Sequence, residues 1–371
     1  MKKALIIAYN DLNNSGVPNV IYQTVRALHN EYDFDILVFE EDEYYFEKFQ
    51  KEGIKVNLIK YKAEKPNGKI ARLFWWFHKM PKQHYLFMKQ LLKENNYLVI
   101  HSFKEYYSWP FFKAAKEAGI TTRILHRNIN RECPRQLSIK LLQKKNRRLS
   151  LKYASRLVGV SDLCCKNAFG NRKYVVLYDC YDEQKYNLNV KNKLGNNDLV
   201  LTHVASINEN KNQLFSAMIL KGLLMLHKNT RLNIVGADGL SSYYEKVIEY
   251  IKCNDLDKNV SVIEKNDCVE KIFEKTTFAI LPSFNEGLSL TTLEAQACGI
   301  MVFASSNLTK EVDCGCVKFL SLDDGPKKWA ECIFEFFITN KNKRFDRNVE
   351  KFSFDSFKDN LKTLYDDVLI K

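Results

Sequence analysis

The feature that most constrains this chain is a rhythm, run through twice, of short apolar stretches rich in β-branched residues alternating with longer amphipathic ones. In the first half, apolar runs at 4–8, 34–39, 55–59, 98–101, 122–126, 157–160 and 174–177 predict strands. Residues 17–28, 109–118 and 137–154 carry apolar positions at helical spacing between them. The second half restarts, with strands expected at 199–204, 232–235, 260–263, 278–281 and 301–304. Continuous apolar strands separated by helices predict parallel sheets covered on both faces. The fold class is therefore α/β with two Rossmann-like doubly wound sheets in tandem. Such an arrangement places ligands outside the carboxyl ends of the strands, in a cleft between the sheets, and suits a two-substrate enzyme.

A length of 371 residues agrees with two cores rather than one. The polar stretch DEQKYNLNVKNKLGNN, residues 182–197, separates the two series and reads as a linker. The expected division is residues 1–184, residues 185–353 and a closing helix over 354–371. The opening MKKALIIAYNDLNNSG has a lysine pair before an apolar run, but the run is too short for a secretory signal and meets Asn10 and Asp11 at once. No apolar stretch approaches the roughly 18 residues of a membrane span, so a cytoplasmic protein is expected. The ten cysteines are scattered, and Cys314-Gly-Cys316 has the wrong spacing for structural zinc, so reduced thiols are the expectation.

The formal charge of +13 calls for an anionic partner, and nucleic acid, anionic lipid and a phosphorylated substrate all qualify. The cations are unevenly placed. From Arg123 to Arg156 there are eleven Lys or Arg against the single acid Glu132. From Lys69 to Lys93, cations mix with Phe74, Trp75, Trp76 and Phe77. Aromatic-basic segments of this kind suit an anionic membrane surface; a helix burying one aromatic face gives the same pattern. No zinc spacing, basic zipper or RNP-type motif supports nucleic-acid binding.

Chemistry concentrates in residues 278–304, FAILPSFNEGLSLTTLEAQACGIMVFA. A buried strand ends at Pro282, a loop with Glu286 and Gly287 follows, then a helix containing Glu294. Helix N-termini carry unpaired amides and partial positive charge, so the turn from Gly287 through Leu288 and Ser289 to Leu290 can hold a phosphate. Carboxylates suit sugar and ribose hydroxyls, which donate to them. Two plainer readings compete: Thr291-Thr-Leu-Glu294 fits a capping box, and Glu286 can be a solvated loop residue.

This segment resembles glycosyltransferase family 4, of the GT-B fold. Pro282, Ser283, Glu286, Gly287, Glu294, Ala295 and Gly299 fall where that family has its Pro-Ser-x-x-Glu-Gly loop and its two glutamates eight positions apart. The resemblance implies that Glu286 is catalytic and contacts the transferred sugar, while Glu294 contacts the donor ribose. Upstream, HVASINENKNQ matches the family's diphosphate-binding segment. It implies donor binding by Lys211 and Asn212, although Ala205 and Ser206 stand where the family has Gly-Arg. Gly236, before Asp238-Gly239, falls in the family's donor-cleft loop, and residues 262–265 fall where its backbone meets the nucleobase. In the first half, Ser15-Gly16 resembles the family's glycine loop over the donor phosphates. His126 ends a strand where the family places a histidine near the sugar, and His101 ends the preceding one. The segment 305–333, with Thr309-x-Glu311 and Trp329, is similar to capsular and exopolysaccharide members. The closing helix resembles the GT-B segment that packs back on the N-terminal domain.

The resemblance therefore implies a retaining, metal-independent glycosyltransferase. It would move sugar from a nucleotide diphosphate donor, UDP-linked by preference, to a lipid-linked glycan acceptor at the inner membrane face. No cofactor is expected. A sugar-nucleotide epimerase or phosphorylase, and a partner subunit with impaired donor binding, remain open on the same fold. Asp33-Phe-Asp35 has the Asp-x-Asp form of metal-dependent transferases, but it opens an early strand and reads as a pair of strand-edge acids.

Overall fold

The computed structural model describes residues 1–371 apart from 14, 41–43, 64–65, 129–136, 187–196, 238–240, 265–267, 341–346 and 367–371. The chain forms two compact units, Met1–Cys180 with Phe354–Lys371, and Tyr181–Ser353.

In the first unit, the described strands are β1 (Lys2–Ile7), β2 (Tyr32–Val38), β3 (Val56–Lys60), β4 (Val99–Ser102), β5 (Thr122–Arg127), β6 (Arg156–Gly159) and β7 (Val175–Val176). They form one sheet in the order β3-β2-β1-β4-β5-β6-β7, with every pairing parallel. The helices are α1 (Gly16–Leu28), α2 (Tyr44–Lys51), α3 (Lys69–Phe74), α4 (Met80–Glu94), α5 (Trp109–Glu117), α6 (Leu137–Tyr153) and α7 (Asp162–Phe169). The second unit contributes α8 (Glu183–Tyr186), β8 (Leu199–Val204), α9 (Gln213–Leu226), β9 (Thr230–Ala237), α10 (Ser242–Cys253), β10 (Val260–Glu264), α11 (Val269–Phe273), β11 (Phe278–Leu281), α12 (Leu290–Ala297), β12 (Met301–Ser305), β13 (Val317–Leu320) and α13 (Gly325–Thr339). Its sheet runs β10-β9-β8-β11-β12-β13, again parallel throughout. The last helix, α14 (Phe354–Asp366), returns to the first unit.

Both sheets reverse strand order beside their first strand, between β1 and β4 and between β8 and β11. Loops leaving those strands diverge and leave a crevice at the carboxyl edge. The sequence alternation explains why the sheets are covered on both faces. In β1, Ala4 and Ile6 enter a core shared with α1 and α14, whereas Leu5 and Ile7 enter the core under α4, α5 and α7. α14 supplies buried Phe357, Leu361, Leu364 and Tyr365 to the first of these cores. It is tied down by an ion pair of Asp366 with Lys2 at 3.0 Å and by Arg156 donating to the Leu364 carbonyl. In the second unit, α13 packs on α9 at Gly222, where a Cβ would stand 2.9 Å from that of Ala330.

Sequence patterning does not mark β13. It is an edge strand, its four residues are only half-buried, and Lys318 interrupts its apolar run. The reading of Asp33 and Asp35 as strand-edge acids needs correction for Asp35. Its strand lies between β1 and β3, and the carboxylate is buried with Lys3 Nζ at 3.1 Å and the Tyr97 hydroxyl as partners. The expected linker also changes at its start: Glu183–Tyr186 is helical, Tyr186 is buried, and residues 187–196 lie outside the described residues. Among the described residues, no helix is long and apolar enough to cross a membrane, and no disulfide joins two cysteines.

Candidate active site

The crevice edge of the second sheet is built by two loops, residues 205–212 after β8 and residues 282–289 after β11. They are laced together by short-range polar contacts. The Phe284 amide donates to the Asn210 carbonyl at 2.8 Å, Asn210 Nδ2 donates to the Asn285 carbonyl at 2.8 Å, and Asn212 Nδ2 donates to the Pro282 carbonyl at 3.2 Å. Asn212 occupies the left-handed region at φ 62°, which asparagine tolerates better than most residues, and from there α9 begins. The lacing brings Lys211 Nζ to 2.6 Å from Glu286 Oε1, with the two side chains 24% and 11% exposed. Residues 75 positions apart thus become one ion pair at the reversal point of the sheet.

Beneath the pair, His203 Nδ1 lies 2.8 Å from Ser216 Oγ. Burial, with the Lys211 charge adding to it, pushes this imidazole down to about 3. Four buried polar atoms in this region have no hydrogen-bond partner among the described residues: His203 Nε2, Gln213 Oε1, Ser283 Oγ and Asn285 Oδ1. Buried polar atoms are ordinarily satisfied, and exceptions cluster where ligands bind.

Glu294 lies in α12. The capping-box alternative is corrected: the N-cap is Ser289, whose Oγ accepts from the Thr292 amide, and Thr291 is already inside the helix. Ser289, Leu288 and Gly287 are buried, and Leu290 is half-buried at the helix start. The Leu290 and Thr291 amides have no helical carbonyl four residues back and remain disposed toward an anion, whereas the Thr292 amide is taken by Ser289. Glu294 meets groups other than Glu286. Tyr186 hydrogen-bonds it, Lys185 attracts it, and Asp182 and Glu270 repel its charge. Burial is the largest influence and raises the carboxyl to about 7. Sequence reading missed these α8 partners because the polar stretch containing them resembles a linker.

Gly236, next to the end of β9, has φ 111°, and a Cβ there would fall 2.5 Å from the Ala205 carbonyl oxygen. The chain itself therefore requires this glycine. Asp238 and Gly239, in the same expected loop, lie outside the described residues. Ser206 is exposed and accepts from Asn208 Nδ2 at 3.1 Å, supplying no charge where a second cation was sought.

In the first unit, Gly16 opens α1 behind Ser15, and a Cβ on it would meet nothing within 4 Å. His126 is fully buried near the carboxyl end of β5. Its Nδ1 lies 3.0 Å from His101 Nε2, while His101 Nδ1 lies 2.9 Å from the Tyr365 hydroxyl. The rings of His101 and His126 are parallel and both stack on Phe103. Burial pushes His126 down to about 3 and His101 well below its usual value, so both are neutral near pH 7. Asp179, in the loop after β7, was not anticipated. It is buried, its Oδ1 has no partner among the described residues, and burial raises it to about 8.

Comparisons with known proteins agree with this architecture. Residues 198–337, within the second unit, match the family model described as glycosyl transferases group 1. The chain is 24% identical over 278 residues to the glycosyltransferase EpsF of Bacillus subtilis (strain 168), spanning 69% of this chain and 71% of that one. It is 24% identical over 272 residues to the capsular polysaccharide biosynthesis glycosyltransferase CapH of Staphylococcus aureus, spanning 70% and 75%. Among solved structures, Anabaena HepE in complex with UDP and glucose superposes with a TM-score of 0.74 at 14% identity, covering 99% of this chain and 100% of that one. The fold is GT-B, two parallel-sheet α/β domains.

Proposed function

We propose that the chain is a retaining family 4 glycosyltransferase. It moves a sugar from a nucleotide diphosphate donor, UDP-linked by preference, to a lipid-linked or glycan acceptor in surface polysaccharide synthesis. The observation that carries this reading is the Lys211–Glu286 pair, held at the strand reversal of a group 1 glycosyl transferase domain. The names of the two relatives, one for capsular polysaccharide biosynthesis, support the pathway class. The UDP and glucose bound in HepE support the donor class.

In the proposed reaction, the sugar C1–O bond to the diphosphate breaks. A C1–O bond to the acceptor hydroxyl forms on the same face, and the hydroxyl proton leaves with the diphosphate. Negative charge grows on the leaving group and positive charge on the sugar ring. Lys211 and the amides at the start of α12 are the groups assigned to the leaving diphosphate, because fixed charges and dipoles stabilise it without reorganising. Glu286, freed from Lys211 as the diphosphate takes over that cation, orients the sugar hydroxyls. Glu294, half-buried and easily protonated, is assigned to the ribose. Gly16 suits a close approach of phosphate oxygens: among the described residues nothing lies within 4 Å of a Cβ placed there, and glycine leaves that space open to a ligand. No metal takes part in this scheme.

The first unit is assigned to the acceptor and to the anionic inner face of the membrane. Trp75 is buried, but Phe74 and Trp76 are exposed around a π-helical turn, Trp75–Lys79. Leu86 of α4 is exposed as well, and so is Leu141 of α6, the helix that carries the exposed cations Lys140, Lys144, Lys145 and Arg148. Lys145 donates to the Phe77 carbonyl at 3.4 Å, joining the basic helix α6 to the aromatic turn. Co-sedimentation with phosphatidylglycerol vesicles at low salt, weakened in a Phe74→Ser, Trp76→Ser variant, is the expected behaviour; indifference to the vesicles overturns this assignment.

The central test is a panel of nucleotide sugars with released nucleotide monitored by mass. Turnover of one donor by the wild type, lost in Glu286→Ala, supports the proposal. Turnover that persists in the variant removes Glu286 from it.

A further inference from the structure

The carboxyl edge of the first sheet contains a polar chain where its sequence pattern would continue apolar. Along β4, Val99 enters the core shared with α14, and His101 follows on the same face. Along β5, Ile124 enters that core, and His126 follows it. The two imidazoles and the Tyr365 hydroxyl of α14 make a line of hydrogen bonds of 2.9 Å and 3.0 Å, with all three residues fully buried. His126 Nε2, at the end of the line, has no partner among the described residues.

Counting donors and acceptors chooses the direction of this line. A neutral imidazole has one N–H and one lone pair. Suppose His126 Nδ1–H donated to His101 and His101 Nδ1–H donated to Tyr365. The Tyr365 O–H would then be left without an acceptor among the described residues, and His126 Nε2 would be left as a bare lone pair. Two buried groups would be orphaned. In the opposite direction, Tyr365 O–H donates to His101 Nδ1 and His101 Nε2–H donates to His126 Nδ1. Only His126 Nε2–H remains unpaired. The second arrangement is favoured because each unsatisfied buried polar group is costly.

We infer that Tyr365 and His101 are positioning residues that lock His126 in its Nε2–H tautomer, presenting a neutral hydrogen-bond donor at the crevice edge of the first sheet. The donor suits an uncharged acceptor atom, a saccharide hydroxyl or amide oxygen, since a phosphate is better met by a cation. The role in turnover rests on the transferase reading; the tautomer does not. Phe103, stacked on both rings, holds their planes parallel so that the line stays straight.

The test uses full-length protein labelled with 15N-histidine, without ligand, and long-range 1H–15N spectra that distinguish the two tautomers. Resonances are assigned by comparison with His101→Gln and His126→Gln. Both histidines are expected as Nε2–H in the wild type. Tyr365→Phe keeps the ring packed on Tyr32 and Phe34 but removes the donor. It should convert at least part of His101 and His126 to Nδ1–H while the melting temperature moves by only a few degrees. With a donor identified, turnover of Tyr365→Phe should fall about tenfold at unchanged donor KM. His126 found as Nδ1–H in the wild type, tautomers unmoved by Tyr365→Phe, or turnover unchanged in that variant would each overturn the inference. The spectra are read on ligand-free protein, so a transferase reading that fails in the Glu286→Ala assay leaves the tautomer result standing on its own.

Discussion

The two sheets have the same strand order over their first six strands, yet the edge beside the reversal is furnished differently. In the second unit the Lys211–Glu286 pair at 2.6 Å is partly open to solvent. In the first unit the strand ends carry the buried neutral pair His101 and His126, with Lys104 Nζ donating to the Tyr9 carbonyl at 2.7 Å and a buried Arg127–Glu105 ion pair at 2.6 Å nearby. One backbone plan thus presents a solvent-touched ion pair in one unit and, in the other, a buried neutral histidine pair among cations already engaged by the protein. The difference comes from the loops and strand ends rather than from the topology.

The sharpest way to break this comparison is Glu286→Gln, which retains shape and removes charge. A fall in turnover of about 10²- to 10³-fold, the scale of a lost transition-state contact, is expected with little change in melting temperature. An equal effect from His126→Gln would erase the distinction between the edges. Next come the two glycines. Gly236→Ala forces an unfavourable φ and a clash with Ala205, and should cost about 1–3 kcal/mol of stability, read by denaturant titration. Gly16→Ala should leave stability within about 0.5 kcal/mol and instead weaken binding of nucleoside diphosphate. Lys211→Met should weaken that same binding about tenfold, or about 1.4 kcal/mol, in calorimetry with UDP. Unchanged affinity would remove the cation from the proposed site.

A separate set of effects, spread over a wide range, is in pH. His84, His126 and His203 sit at about 3 when folded and near 6.5 when unfolded, so the unfolded chain binds more protons between those values. Stability therefore falls as pH drops from 6.5 toward 3, by up to about 1.4 kcal/mol per pH unit for each group. Asp179 runs the other way, at about 8 folded against 3.8 as its ordinary value. The folded state retains that proton, so stability falls as pH rises from about 4 to 8. Melting curves of Asp179→Asn against wild type should diverge in favour of the variant as pH rises through this window; parallel curves would show that Asp179 does not titrate differently on folding.

The sheets were legible because parallel strands covered on both faces leave near-continuous apolar runs, as in 4–8 and 278–281. β13 escaped because an edge strand needs less apolar surface. The loop glutamate and Lys211 were marked by motif and spacing, but their direct pairing depends on lacing by Asn210 and Asn212 across 70 or more residues, which no local pattern encodes. Asp35 looked like half of a metal motif because sequence shows neither Lys3 nor Tyr97 beside it. Tyr365 lies 264 positions from His101, and only the returning helix brings them together.

That late-arriving helix has a consequence for biosynthesis. Residues 1–180 leave the ribosome long before 354–366 exist, so the nascent first unit has a gap where Phe357, Leu361 and Leu364 will later lodge. Until residues 354–366 have emerged, this greasy notch stays open to chaperones, and His101 lacks its phenol partner. A fragment truncated before residue 354 should accordingly be insoluble, however complete its seven strands.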